Sequence, residues 1–186
     1  MADFQVAEYG LADIVASGTQ SYLLGQEKQF KHESKSGNVV TLLSAARVKC
    51  RFVQNLEGSA LSKYQALAWK TTVGRGVQLA DTGEKCCGVV SPMLTTTVAA
   101  NSYFWMVIEG PAKIISDGNS TLALGDTVVT IGTASGKVRK QTAAPADTTA
   151  AMVQVNSVVG TIMESITNVD GTVGACWIHP GRGSIG

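Results

Sequence analysis

The residues of this chain that could do chemistry are two histidines, four cysteines and a scatter of carboxylates. Their spacing assembles no reaction centre. His32 and His179 stand far apart, and neither sits in a nucleophile–base pattern. There is no Gly-x-Ser-x-Gly elbow to raise a serine nucleophile. Cys50, Cys86, Cys87 and Cys176 form no Cys-x-x-Cys pair, and the adjacent Cys86 and Cys87 point to opposite faces of an extended strand. They read as buried free thiols in strands. Asp117, Asp126, Asp147 and Asp170 all fall at turns, where a carboxylate caps backbone amides. No loop concentrates the three or four carboxylates that calcium needs. Glu109 and Glu164 are isolated strand carboxylates, suited to surface ion pairs. Gly74-Arg75-Gly76 and Gly181-Arg182-Gly183 lack the Lys-Ser/Thr of a phosphate loop and read as surface turns. The expectation is no enzyme, no metal and no cofactor.

Composition narrows the class further. The chain has 186 residues, of which 45% are hydrophobic, enough for one good core with or without an arm. A net charge of +1 provides no basic field for a phosphate backbone, so nucleic acid is not an expected partner. Charged residues are only 16%, below the usual quarter or so. Thr, Ser, Ala and Gly fill their place, which suits a protein that stands against neighbours. No apolar run reaches the roughly 20 residues of a membrane span, so no membrane partner is expected. The stretch MADFQVAEYGLAD holds three acids and no base, unlike a secretory leader, so synthesis and use in a cytoplasm are expected.

The elements that would position these residues are strands. Residues 1–40 show neither a helical nor a strand period and read as an extended N-terminal arm. From residue 41 to 180 the pattern is β. In ARVKCRFVQ, Val48, Cys50 and Phe52 share one face, and Lys49, Arg51 and Val53 the other. Short strands follow in KYQALAWKT, VQLA and Lys85–Ser91. A long strand, Ser102–Ser116, is interrupted at Gly110-Pro111 as an edge, bend or bulge, because proline cannot donate to a ladder. Further strands are expected over Asp126–Gly132, Lys137–Gln141, Val158–Ser165 and Thr172–His179, with turns at Asp117-Gly118-Asn119 and 168–171. Residues 181–186 read as a flexible tail. The predicted fold is all-β: a small β-barrel or sandwich domain of short antiparallel strands with an extended N-terminal arm.

Two sets of apolar residues are candidates for an interface. Along SYFWMVIEG, Phe104, Met106 and Ile108 share one parity and read as core. Tyr103, Trp105 and Val107 face the other side, which is either a second core layer or an exposed patch for a sister subunit. In the arm, Phe4, Tyr9, Leu11, Ile14, Tyr22, Leu23, Leu24 and Phe30 are more apolar residues than a solvated tail needs. They suit an arm that orders across a neighbour.

The motif order from about Lys63 to His179 resembles the β-domain of tailed-bacteriophage head decoration (capsid cement) proteins. A strand ending in GVV (88–90) precedes an aromatic strand ending in Gly-Pro-Ala (110–112). Asp-Gly (117–118), Leu-Gly-Asp (124–126), Ala-Asp (146–147), VVGTIMES (158–165) and Gly-Thr-Val (171–173) follow in turn. The resemblance covers roughly two thirds of the chain and leaves the arm and the tail unmatched. It implies a virion structural protein on the outer surface of the capsid, clamping neighbouring major capsid subunits, often as a homotrimer. Assembly would take place in the host cytoplasm. It carries over no catalytic residue. The alternative is a tail, fibre or other β-sandwich module that contacts glycans.

Overall fold

The computed structural model describes residues 12–16, 23–36, 39–70, 75–81, 83–130, 135–141 and 156–180. The eleven regular elements among them are strands of one mixed sheet. In chain order these are β1 (Ile14–Val15), β2 (Glu27–Ser36), β3 (Val39–Asn55), β4 (Ala66–Trp69), β5 (Gly76–Leu79) and β6 (Cys86–Val90). The long β7 (Tyr103–Ile115) follows, then β8 (Thr127–Val129), β9 (Arg139–Lys140), β10 (Val158–Ile162) and β11 (Val173–Ile178).

The strand order is β2-β3-β5-β4-β6-β7-β11-β10-β8-β9, and β3 also pairs with β7. That extra pairing closes β3, β5, β4, β6 and β7 into a ring, while β11, β10, β8 and β9 form a second leaf. The all-β expectation holds. All the strand pairings are antiparallel save β3 with β5.

β7 links the two parts. Tyr103–Glu109 pairs with β3, and Gly110–Ile115 pairs with β11. The Gly110-Pro111 interruption is therefore a bend at which one continuous strand changes partners. Gly110 has φ 106°, and a Cβ there would stand 2.6 Å from the Arg47 carbonyl oxygen, so only glycine fits the crossing.

The sheet folds into two cores that share β7. Val53, Leu67, Val77, Phe104 and Met106 fill the ring, together with Leu61, Leu94 and Val98 from its loops. On the other face Phe52, Tyr103, Trp105 and Val107 join Ile114, Val159, Ile162, Cys176 and Ile178 of the second leaf. Phe52 and Phe30 meet Trp105 edge-on, with centroids 5.1 and 5.3 Å away. Each buried aromatic of this kind stabilises the fold by roughly 1.5–3 kcal/mol. Asn55, wholly buried, fastens the loops at the end of β3. Its Nδ2 donates to the Ser59 and Val98 carbonyls, both at 2.9 Å, and its Oδ1 accepts from Glu57 N.

Part of the region expected as a separate arm belongs to the sheet. β2 forms a long antiparallel hairpin with β3, in register from Glu27↔Arg51 to Ser36↔Val39 with a shift near His32. β1 pairs with the start of β7. The polar sequence EKQFKHESKS hides the strand because β2 is an edge. Charges along an edge strand block further pairing and blur the alternation that marks a buried strand.

Candidate functional site

The second leaf has an inner and an outer face. Along β11, Gly174, Cys176 and Ile178 are buried, while Val173, Ala175 and Trp177 point outward. Register places Pro111, Lys113 and Ile115 of β7 opposite Trp177, Ala175 and Val173. On the other side Thr161 of β10 lies opposite Trp177. Pro111 itself is buried, so the outer face presents a strip of Val, Ala, Trp, Ile and Thr, with Lys113 as its strand cation.

The turns extend the strip. Met163, just beyond β10, donates its N–H to the Ala175 carbonyl. Beside it, Gly125 N donates to the Ile162 carbonyl, which sets the tip residue Leu124 at this end of the leaf, 71% exposed. Thr172 N donates to the Val169 carbonyl, so the exposed Val169 leads directly into β11. The exposed large hydrophobic residues among the described ones are Leu124, Met163, Val169, Val173 and Trp177. All belong to this leaf and its turns, and none to the strand ring. That partition marks the leaf as the face with unmet apolar surface.

Ion pairs and turn caps hold the rim of the face. Asp126 accepts from Ala123 N at 2.7 Å and meets Lys140 Nζ at 2.8 Å. Burial alone would raise its pKa, but the Lys140 ammonium and the Ala123 N–H outweigh this and hold the carboxyl below its usual range. Asp170 pairs with Lys137 at 2.7 Å. Asp117 caps Asn119 N, and its Oδ2 stands 3.1 Å from Arg139 Nε without hydrogen-bond alignment, so that contact is Coulombic. Glu164 accepts from Ala175 N at 2.7 Å. The described turn aspartates cap backbone amides or pair with lysine and arginine. Asp147 lies outside the described residues.

The cysteines are core groups. Burial pushes the Cys86 and Cys176 thiols up to about 12 and raises Cys50 and Cys87 as well. All four are reduced and buried. Among the described residues no three His, Cys, Asp or Glu side chains come together as metal ligands. No helix among them is long and apolar enough to cross a membrane. His179 Nε2 lies 2.7 Å from the Thr161 hydroxyl at the margin of the outer face. Arg75 turns back to donate to the Leu24 carbonyl at 2.5 Å, so the first Gly-Arg-Gly motif ties a turn to the start of β2.

The interface candidates drawn from sequence fall elsewhere. Tyr103 and Trp105 are 6% and 4% exposed, because their side of β7 is the second core layer. Leu23 is buried in that same core, with Leu24 and Phe30 packed against it. Ile14 packs against the core of the ring. These residues pack on this chain's own interior, and Ile14, Leu24 and Phe30 stay partly exposed. Phe4, Tyr9, Leu11 and Tyr22 lie outside the described residues, as does the tail 181–186. Sequence reading passed over the outer face because both parities of TVGACWIH are apolar. An apolar residue at the tip of a Leu-Gly-Asp turn was the available signal.

No protein-family model matches the chain, and no curated protein matches it. Among solved structures the fold is similar to the head fiber gp8.5 N base of bacteriophage phi29. Identity is 14% and the TM-score 0.45, over 73% of this chain and 99% of that one.

Proposed function

We propose that this chain is a virion structural protein that decorates the outside of a tailed-phage head. It docks through the outer face of β7, β11 and β10 onto the major capsid protein. The observation that carries the reading is the gathering of exposed hydrophobic side chains on one leaf. A rigid sheet presenting several fixed apolar side chains loses little entropy when it docks. The resemblance of the motif order to that of head decoration proteins suits the same role.

In this reading each copy bridges capsid subunits and sister copies, with a trimer as the expected assembly. Many modest contacts then act together, and opening of the shell at one border must break several at once. No catalytic step and no cofactor is needed. Binding takes place at the outer surface of the expanded head, after synthesis in the host cytoplasm. The test is co-sedimentation of purified protein with empty expanded heads. Saturable binding supports the role, and its absence at high protein concentration contradicts it.

A second reading has one specific observation behind it. Trp177 lies across from Thr161, whose hydroxyl meets His179. An exposed indole beside polar groups is also a platform for a sugar ring. Saccharide binding that is lost in Trp177→Ala, without any head binding, would favour a glycan-contacting module.

A further inference from the structure

The strand ring is filled by apolar side chains, but one end of it is open. A cavity of about 200 Å³ lies there, lined by Arg51 of β3, Trp69 of β4, Lys85, Cys86 and Cys87 of the β6 region, Ile108 of β7 and Pro180. Trp69 and Ile108 pack against the core of the ring. The cavity thus has an apolar floor that continues the core, and two cations at its rim. Among the described residues, no carboxylate lines it.

Arg51 is held in place from two sides. Its Nε and Nη2 donate to Glu27 Oε1, with Nε at 3.1 Å. The guanidinium carbon lies 5.5 Å from the centre of the Trp69 ring. Glu27 also meets Lys49 Nζ at 2.5 Å. The Lys49 and Arg51 contacts hold the Glu27 carboxyl below its usual range, so the clamp is ionised at neutral pH. Among the described residues, Arg51 Nη1 makes no hydrogen bond. One edge of a fixed guanidinium is therefore available beside Trp69 and Ile108.

We propose that this open end of the strand ring binds a small carboxylate carried on an apolar stem. A guanidinium fork matches a planar carboxylate, and the mouth of a closed strand ring is a recurrent ligand position. A cavity of about 150 Å³ accepts benzene, so this one holds a benzene-sized body with its headgroup at the rim. Phosphate is a poorer match, since it has no apolar part to cover Trp69, Ile108 and Pro180. The burial that keeps the Cys87 thiol protonated leaves no negative charge in the floor. The inference is independent of head binding.

The test uses the full chain with benzoate, its neutral isostere benzamide, and inorganic phosphate. Benzoate binds saturably, about tenfold or more tighter than benzamide, and shifts the Trp69 indole and Cys87 amide resonances. Arg51→Gln weakens benzoate about tenfold and leaves benzamide unchanged. The resonance map on the unsubstituted chain decides the matter should that variant fail to fold. A capped phenylalanyl-glutamate peptide distinguishes the sources of the carboxylate. Tighter binding of the peptide assigns the site to an acidic side chain of a partner protein, and tighter binding of benzoate to a free acid. Equal affinity for benzoate and benzamide, stronger binding of phosphate, or shifts confined to other residues would overturn the proposal.

Discussion

Trp177 and Pro111 stand directly opposite each other in the ladder between β11 and β7. Pro111 follows the bend at which β7 leaves the ring for the second leaf. The residue just past the bend thus stands across the ladder from the exposed aromatic of the outer face. Trp177 is 38% exposed and its ring is not part of either core. Trp177→Ala should therefore change stability by about 1 kcal/mol or less. If the outer face is the docking surface, the same change should weaken head binding by roughly 30-fold, as for a central aromatic anchor. Paired urea melts and binding isotherms check both numbers.

The aromatic residues of β7 should behave in the opposite way. Trp105 and Phe52 meet edge-to-face within the core, with ring centroids 5.1 Å apart. Trp105→Ala or Phe52→Ala should cost roughly 3–5 kcal/mol. Denaturant midpoints measure this, and loss of head binding should follow only from loss of fold.

Gly118 closes the turn that packs against the 168–171 turn. It has φ 68°, and a Cβ there would press on the backbone of Asp170. Gly118→Ala should destabilise by about 2 kcal/mol or more, since both backbone strain and a clash with main-chain atoms apply. Gly125, at φ 87° with open space around it, provides the comparison. Gly125→Ala should cost only about 1 kcal/mol.

Acid should weaken the fold through two carboxylates. Glu27 and Asp126 have folded pKa values held below their ordinary values of 4.5 and 3.8. A depressed folded pKa contributes stability that is present above the unfolded value and is lost as pH falls through the folded one. Urea midpoints should therefore decline between about pH 5 and about pH 3. Glu27→Gln should flatten part of that decline, with little effect near neutrality because the Glu27 pairs are partly exposed.

The thiols should be silent in the native state. All four are buried, and burial raises the pKa of each. A thiol reagent should label none quickly in buffer and all four in denaturant. Fast native labelling of Cys87, which borders the cavity, would show that the open end breathes.

Much of this architecture was legible in the residues. The alternation of ARVKCRFVQ located β3, and Gly110-Pro111 marked the bend in β7, though not the change of partner that occurs there. Two features were not legible, for related reasons. β2 is an edge strand whose charges erase its period, so only its pairing with β3 reveals it. The two faces of β7 and of β11 are apolar on both parities, so periodicity could not separate core from surface. Tyr103 and Trp105 are core because Phe52 packs on both and Phe30 on Trp105, within the cluster that the second leaf completes. The outer side of that same leaf was left with Val173 and Trp177.

The most direct measurement is the binding of a charged-face variant, Leu124→Asp with Trp177→Asp, to empty expanded heads beside the unsubstituted chain. Both positions are exposed, so the variant should fold, with circular dichroism and melting as the check. The account predicts saturable binding of the unsubstituted protein and near-complete loss of binding by the variant. Equal binding by both proteins would contradict it and place the docking surface elsewhere on the chain.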